Sequence, residues 1–350
     1  MAGSGLAGMG ARLGYGLGQA ARVAWYAGQY AAAARIATEA RRKIDFDGPV
    51  PGWQQMLQAM GDLFARDWQN VEAGIYPAPR RLMNPADALA RAGDFFRDLP
   101  DVDRRRASDA NSEVFTDDHR GRYPRYYLQN FHYQTGGYLS DDSARRYDHQ
   151  VEVLFTGTAD AMRRQALPPL KAALAGRDLR RARVLDVACG TGRFLGSLKQ
   201  ALPRLPAVGL DLSAPYLAEA RRHLGWAGWL DLIEGNAEAL PFEDGAFDAV
   251  TCIYLFHELP EKARARVAAE LVRVTRPGGA VILVDSLQTG DVPAFDGLLE
   301  FFPAAFHEPY YRTYTRADLP ALFTPAGAEL RSSTPAFMSK VMVFEVAGKV

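Results

Sequence analysis

Residues Val184 to Gly192 read Val-Leu-Asp-Val-Ala-Cys-Gly-Thr-Gly. An apolar run broken by a single Asp suits a central strand of a parallel sheet, buried on both faces. Gly190 and Gly192 let the chain turn tightly and approach a ligand with no Cβ in the way, and a helix is expected to begin near Arg193. A strand, a glycine turn and a helix in succession commit the chain to a layered α/β fold. They also place any ligand beyond the C-terminal ends of the strands.

The carboxylates around this turn narrow the ligand. Nicotinamide and flavin enzymes hold a pyrophosphate over a similar turn, but their fingerprint needs a third small residue, and Leu195 stands at that spacing here. Asp186, inside the strand, would repel a pyrophosphate and suits an ammonium group. The next apolar run, Ala207-Val208-Gly209-Leu210, ends in Asp211, whose carboxylate can accept both hydroxyls of a ribose. A nucleoside joined to a cationic amino acid is S-adenosylmethionine.

Further motifs follow in order: Glu234-Gly235-Asn236-Ala237-Glu238-Ala239-Leu240-Pro241-Phe242, Phe247-Asp248-Ala249-Val250, and Arg276-Pro277-Gly278-Gly279 before a strand reaching Asp285. With the glycine turn and Gly209-Leu210-Asp211-Leu212-Ser213, this set resembles the class I S-adenosylmethionine-dependent methyltransferases over the C-terminal half to two-thirds of the chain. The resemblance implies a Rossmann-like, doubly wound α/β fold whose seven-stranded sheet ends in an antiparallel strand. It implies S-adenosyl-L-methionine as cofactor, contacted by Asp186, Ala188, Cys189, Gly190, Gly192, Asp211, Leu212, Asn236 and Ala237. Asn236 departs from the family, which more often has Asp there; its amide offers both a donor and an acceptor to an adenine. Phe256-His257-Glu258-Leu259-Pro260 and the general motif style are loosely similar to quinone and lipid-precursor methyltransferases, which implies a hydrophobic acceptor.

Composition agrees with a sizeable core, since 48% of the 350 residues are apolar. Acidic and basic residues number 41 each, so bulk charge gives no reason to expect a nucleic-acid partner. The two cysteines, Cys189 and Cys252, show no metal-ligand spacing, no metal is expected, and with no secretory leader a reducing cytoplasm is the expected compartment. No apolar run approaches the ~20 residues that span a bilayer.

Three regions are expected: a helical N-terminal extension or docking region over 1–112, an aromatic, lid-like segment with lead-in helices over 113–182, and the cofactor-binding core over 183–350. In the first, Leu13, Leu17, Ala20, Ala24, Ala27 and Ala31 share one helix face, with Arg22, Gln29 and Arg35 opposite. The apolar face is expected to dock on the main domain or on a second copy of the chain. The alternative is peripheral contact with an anionic membrane, because the first acidic residue is Glu39 and Trp25, Tyr26 and Tyr30 accompany the basic residues. Past Asp285, an aromatic insertion from Val292 to Tyr314 precedes a helix near Ala317 to Phe323 and two strands, Glu329 to Ser333 and Met338 to Val346.

The densest aromatic run is Tyr123 to Gln134, followed by a Gly136-Gly137 turn and a helix start at Ser140. Arg145-Arg146-Tyr147-Asp148 resembles the segment preceding the catalytic core in many small-molecule methyltransferases, which makes Tyr147 the candidate to cover the cofactor. The bland alternative is that these aromatics only fasten the N-terminal part to the sheet domain. The fourth strand runs into His257, the leading candidate for a general base because a neutral imidazole titrates near physiological pH. Its alternatives are a helix-start or cofactor-contacting role. Tyr127, His132 and His307 are second-rank catalytic candidates. Together these features describe methyl transfer to oxygen or carbon of a small hydrophobic or aromatic molecule. A cofactor-binding or membrane-associated accessory protein without turnover is the competing expectation.

Overall fold

The computed structural model describes residues 2–37, 46, 48–79 and 84–348. Seven strands form one sheet: β1 (Val184–Val187), β2 (Ala207–Asp211), β3 (Leu230–Glu234), β4 (Phe247–Ile253), β5 (Thr275–Ser286), β6 (Ala328–Ala336) and β7 (Ser339–Val346). Their order is β3-β2-β1-β4-β5-β7-β6. The first five run parallel, and β7 inserts antiparallel between β5 and β6. The order reverses at β1, the point where open α/β sheets leave a crevice for ligands. Register there sets Asp186 between Gly209 and Thr251.

The pleat sends alternate side chains to two core layers. On one face, Leu185, Val187, Val250 and Cys252 pack with Val267 and Leu271 of α9 (Glu261–Val274) and Phe323 of α12 (Leu319–Phe323). On the other, Val184, Ala207 and Ala249 meet Leu167 and Leu170 of α6 (Leu167–Ala173), Leu195 and Leu198 of α7 (Arg193–Ala201), and Leu217 and Leu224 of α8 (Ala214–Leu224). The aromatic insertion after β5 folds into α10 (Asp296–Ala305) and α11 (Tyr311–Tyr314).

Five helices precede α6: α1 (Ala2–Ile36), α2 (Trp53–Glu72), α3 (Pro85–Ser108), α4 (Asp141–Leu154) and α5 (Ala159–Arg164). Ser140 caps α4 by accepting from the Ser143 N–H. Met60 and Leu63 of α2 join Met162, Leu287, Phe295 and Leu299 in a third apolar cluster, which ties the N-terminal helices to the insertion.

Of the two expected partners of the apolar face of α1, the main domain is not one, since α1 docks on its own chain by the opposite face. Leu13 and Leu17 are each 67% exposed, whereas Tyr26 and Gln29 are buried. The reason is the polarity of the surface α1 meets. Arg22 reaches Glu152 at 2.6 Å and Asp160 at 3.3 Å and donates to the Gly157 carbonyl. Tyr15 donates to Asp67 Oδ2 at 2.6 Å, and Gln29 Oε1 lies 2.8 Å from His149 Nε2. Asp67 is fully buried and also takes two hydrogen bonds from Arg164 and one from Tyr76. Charged hydrogen bonds, rather than the apolar stripe, orient this helix. None of the described helices is long and apolar enough to cross a membrane.

Candidate active site

The turn after β1 carries three residues with left-handed backbone: Ala188 (φ 58°), Gly190 (φ 55°) and Gly192 (φ 78°). The two glycines serve different ends. A Cβ on Gly190 would meet nothing within 4 Å, and Gly190 lines the cleft. A Cβ on Gly192 would stand 2.5 Å from Leu224 Cδ1, so that glycine permits the close packing of α7 on α8.

Asp211, at the end of β2, is tied to this turn. Its Oδ2 accepts from the Gly190 N–H and its Oδ1 from the Ser213 N–H, both at 2.8 Å. Burial raises its pKa, opposed by the N–H groups of Ser213, Gly190 and Leu212. Asp186 is buried at 2% exposure and accepts from Thr251 Oγ1 at 2.6 Å. Burial pushes its carboxyl up to about 7, against the Thr251 hydrogen bond and with the help of the Asp211 charge. Two acids that feel each other's charge favour a cationic guest.

The cleft is open to solvent and runs from Ala188, Gly190, Asp211 and Leu212 to Asn236 and Ala237. A second lobe continues past Asp186, Cys189 and Thr191 to Arg163, sharing Tyr147, Gly190 and Tyr254 with the first. Asn236 Oδ1 accepts from the Glu238 N–H at 2.9 Å, which orients its amide. Asn236 lines one extreme of the cleft, Asp211 stands between, and Asp186 and Arg163, of opposite charge, line the second lobe, a set of donors and acceptors of the kind S-adenosylmethionine needs.

Facing this backbone-built wall is an aromatic one. Tyr126, Tyr127, Tyr138, Tyr147, Tyr216 and Tyr254 all line the cleft. Tyr138 sits at their centre, with ring centroids 5.5 Å from Phe131, 5.5 Å from Tyr216 and 6.1 Å from Tyr147. Two phenols are anchored by carboxylates: Tyr126 donates to Glu238 at 2.6 Å and Tyr138 to Glu258 Oε1 at 2.5 Å. Burial raises the pKa of Tyr127, Tyr138 and Tyr147.

Of the catalytic candidates, Tyr127 lines the cleft, and the histidines stand behind its wall. His257 Nδ1 contacts Asp285 Oδ1 at 2.6 Å, and its Nε2 is 3.8 Å from Glu258 Oε1. Burial lowers its pKa, but the charge and hydrogen bond of Asp285, with Glu258 and Glu308, raise it further, to about 9. His257 is therefore protonated near neutrality, contrary to the neutral imidazole expected from its type. His132 Nε2 lies 2.9 Å from Glu308 Oε1. His307 bonds Gln129 at 2.8 Å and supports the loop.

Sequence reasoning missed three residues. Glu258 lines the cleft between these histidines and the cavity, and it lay in a stretch read only for its histidine. Arg163, whose guanidinium carbon is 5.5 Å from the centre of the Tyr254 ring, comes from a helix with no motif. Glu308 lies in the insertion, where nothing but its buried position distinguishes it. Cys189 and Cys252 are buried, and burial raises both thiol pKa values.

Residues 184–279 match the methyltransferase domain family. The ubiquinone/menaquinone biosynthesis C-methyltransferase UbiE of Methylobacterium nodulans is 35% identical over 162 residues, covering 45% of this chain and 62% of that protein. The demethylmenaquinone methyltransferase of Beutenbergia cavernae is 33% identical over 186 residues, covering 53% of this chain and 71% of that protein. The phthiotriol/phenolphthiotriol dimycocerosates methyltransferase 1 of Mycobacterium ulcerans is 36% identical over 121 residues, covering 35% of this chain and 44% of that protein. The chain thus spans about three-fifths of the length of the first of these relatives, and the likeness centres on the strands that build the cleft. With that sheet order, that turn and these relatives, the chain belongs to the class I S-adenosylmethionine-dependent methyltransferases.

Proposed function

We propose that this protein transfers a methyl group from S-adenosylmethionine to oxygen or carbon of a small hydrophobic acceptor. The observation that carries the proposal is the cleft itself: two acids, the buried Asp186 and the partly buried Asp211, on its backbone wall and six tyrosines opposite or beside them. Bound there, S-adenosylmethionine would supply a methyl group on a cationic sulfur. Asp211 accepts hydrogen bonds from the ribose, Asp186 faces the ammonium group, Arg163 pairs with the carboxylate, and Asn236 bonds the adenine. Tyr127 and Tyr147 close over the cofactor and exclude water, and the aromatic faces favour a positive charge held beside them. Glu258, on the cleft wall, accepts a hydrogen bond from the acceptor and is held in place by Tyr138 and His257.

The aromatic wall supports an acceptor with an apolar ring or chain. Relatives named for quinone biosynthesis and for a mycobacterial lipid support the same class. The test is calorimetric titration with S-adenosylhomocysteine, with NAD as comparison, followed by assay of S-adenosylhomocysteine release with lipophilic quinols, phenols and long-chain alcohols. Stoichiometric binding of S-adenosylhomocysteine alone, then turnover with one acceptor class, is expected. Binding without turnover on any of them would move the accessory-protein reading to the front, and NAD binding in its place would overturn the cofactor assignment.

A further inference from the structure

Behind the tyrosine wall, three segments far apart in sequence converge. His132 comes from the aromatic run, Glu258 from the turn after β4, and Glu308 from the link between α10 and α11. One ligand atom from each lies within 4.8 Å of the other two. The Glu308 side chain has no exposed surface, and neither of its carboxylate oxygens has a hydrogen-bond partner. Its 2.9 Å contact with His132 Nε2 is close but not aligned for one. No Arg or Lys forms an ion pair with Glu258 or Glu308 among the described residues. A buried carboxylate without a hydrogen bond is costly, and a second acid beside it raises the cost.

The surroundings hold these groups in place. The His132 N–H donates to the His307 carbonyl at 3.2 Å, which fixes the His132 loop against the residue preceding Glu308. His257, with Nδ1 on Asp285, turns Nε2 toward Glu258 at 3.8 Å.

We infer that His132, Glu258 and Glu308 bind one divalent first-row metal ion. One imidazole and two carboxylates suit Mn²⁺, Fe²⁺ or Zn²⁺ better than Mg²⁺ or Ca²⁺, which prefer oxygen ligands throughout. The ion would add positive charge beside two acids whose cationic neighbours, among the described residues, are the histidines His132 and His257. Because Glu258 also lines the cleft, an open coordination position would face the acceptor and could take its oxygen. That last point rests on the methyltransferase reading, but the binding of the ion does not.

The experiment strips the full chain with chelator and titrates it with Mn²⁺, followed by electron paramagnetic resonance, while S-adenosylhomocysteine binding is measured on the same sample. One bound Mn²⁺ per chain is expected, with nitrogen coupling from the imidazole in its pulsed spectrum. His132→Gln and Glu308→Gln should each weaken binding at least tenfold, and Asp117→Asn, at an exposed acid away from the cluster, should not change it. Should either ligand variant fail to fold, the nitrogen coupling of the wild-type protein decides. A protein that binds S-adenosylhomocysteine but no Mn²⁺, or Mn²⁺ without nitrogen coupling, overturns the metal site and leaves the methyltransferase reading standing. Mn²⁺ held by these residues without S-adenosylhomocysteine binding does the converse.

Discussion

The two walls of the cleft are built on different principles. The cofactor wall is made of backbone: a glycine turn, two strand ends, and N–H groups that hold Asp211, all within residues 184–240. The opposite wall is made of side chains from the aromatic run, α4, α8 and the turn after β4, and it is propped by α1 to α3. A backbone wall needs only that a short segment adopt its local conformation. A side-chain wall needs distant segments to be fixed against one another, so its stability depends on the buried polar contacts that fasten them.

The sharpest way to test that contrast is to cut one fastening. Asp67→Ala leaves Arg164 buried without its partner and removes acceptors from Tyr15 and Tyr76. Losing one member of such a buried pair costs about 3–5 kcal/mol, and denaturant unfolding should show it. If the variant unfolds at the wild-type midpoint, the N-terminal helices are not held by this hub.

Acid should attack the same region next. His149 is buried, with Nε2 on Gln29 and no partner for Nδ1. Burial, helped by Arg91 and Arg22, lowers its pKa from 6.5 to about 4. The unfolded chain therefore binds a proton before the folded one as pH falls. The stability tied to a neutral His149 is complete above pH 6.5, declines below it and is gone near pH 4, a loss of up to about 3 kcal/mol. His149→Gln should flatten that part of the stability profile relative to wild type. A profile identical in the two proteins would show that this histidine protonates freely in the folded state.

A change on the backbone wall should affect ligand binding more than folding. Asp211→Ala is expected to weaken S-adenosylhomocysteine binding by roughly 1–3 kcal/mol, the range for hydrogen bonds to a charged group. Calorimetry on the variant checks it, with the unfolding midpoint as the companion measurement. Unchanged affinity would remove Asp211 from the cofactor site, and a stability loss as large as that of Asp67→Ala would erase the contrast between the walls.

This contrast also explains what could be read from the sequence. The sheet, its antiparallel edge and the cleft residues from Asp186 to Ala237 were legible because each depends on neighbours a few positions away. Glu258, Glu308 and Arg163 were not, since their meaning comes from what lies beside them after folding. His257 was located correctly at the end of β4, but its charge state depends on Asp285, 28 residues later, and no local pattern reports that contact. Which face of α1 meets its own chain was not legible for a related reason. Periodicity identifies an apolar stripe, whereas docking followed the acids and the histidine presented by α2, α4 and the start of α5.

The smallest expected effect belongs to that stripe. Leu13 and Leu17 project outward, each 67% exposed, and touch no part of the core clusters. Leu13→Ser together with Leu17→Ser should change stability by less than about 0.5 kcal/mol, as surface substitutions away from packed features do. Arg22→Ala, on the inward face of the same helix, strands Glu152 and should cost several times more. Denaturant unfolding of the two variants side by side, with sedimentation to follow molecular mass, separates polar from apolar docking of α1. A double-serine variant that lost more than 1 kcal/mol, or a wild-type dimer that the substitutions dissociated, would mean that the outward face is covered in solution by another copy. The apolar periodicity would then mark an interface between chains, while the buried arginine and its acids still fix the helix to its own chain.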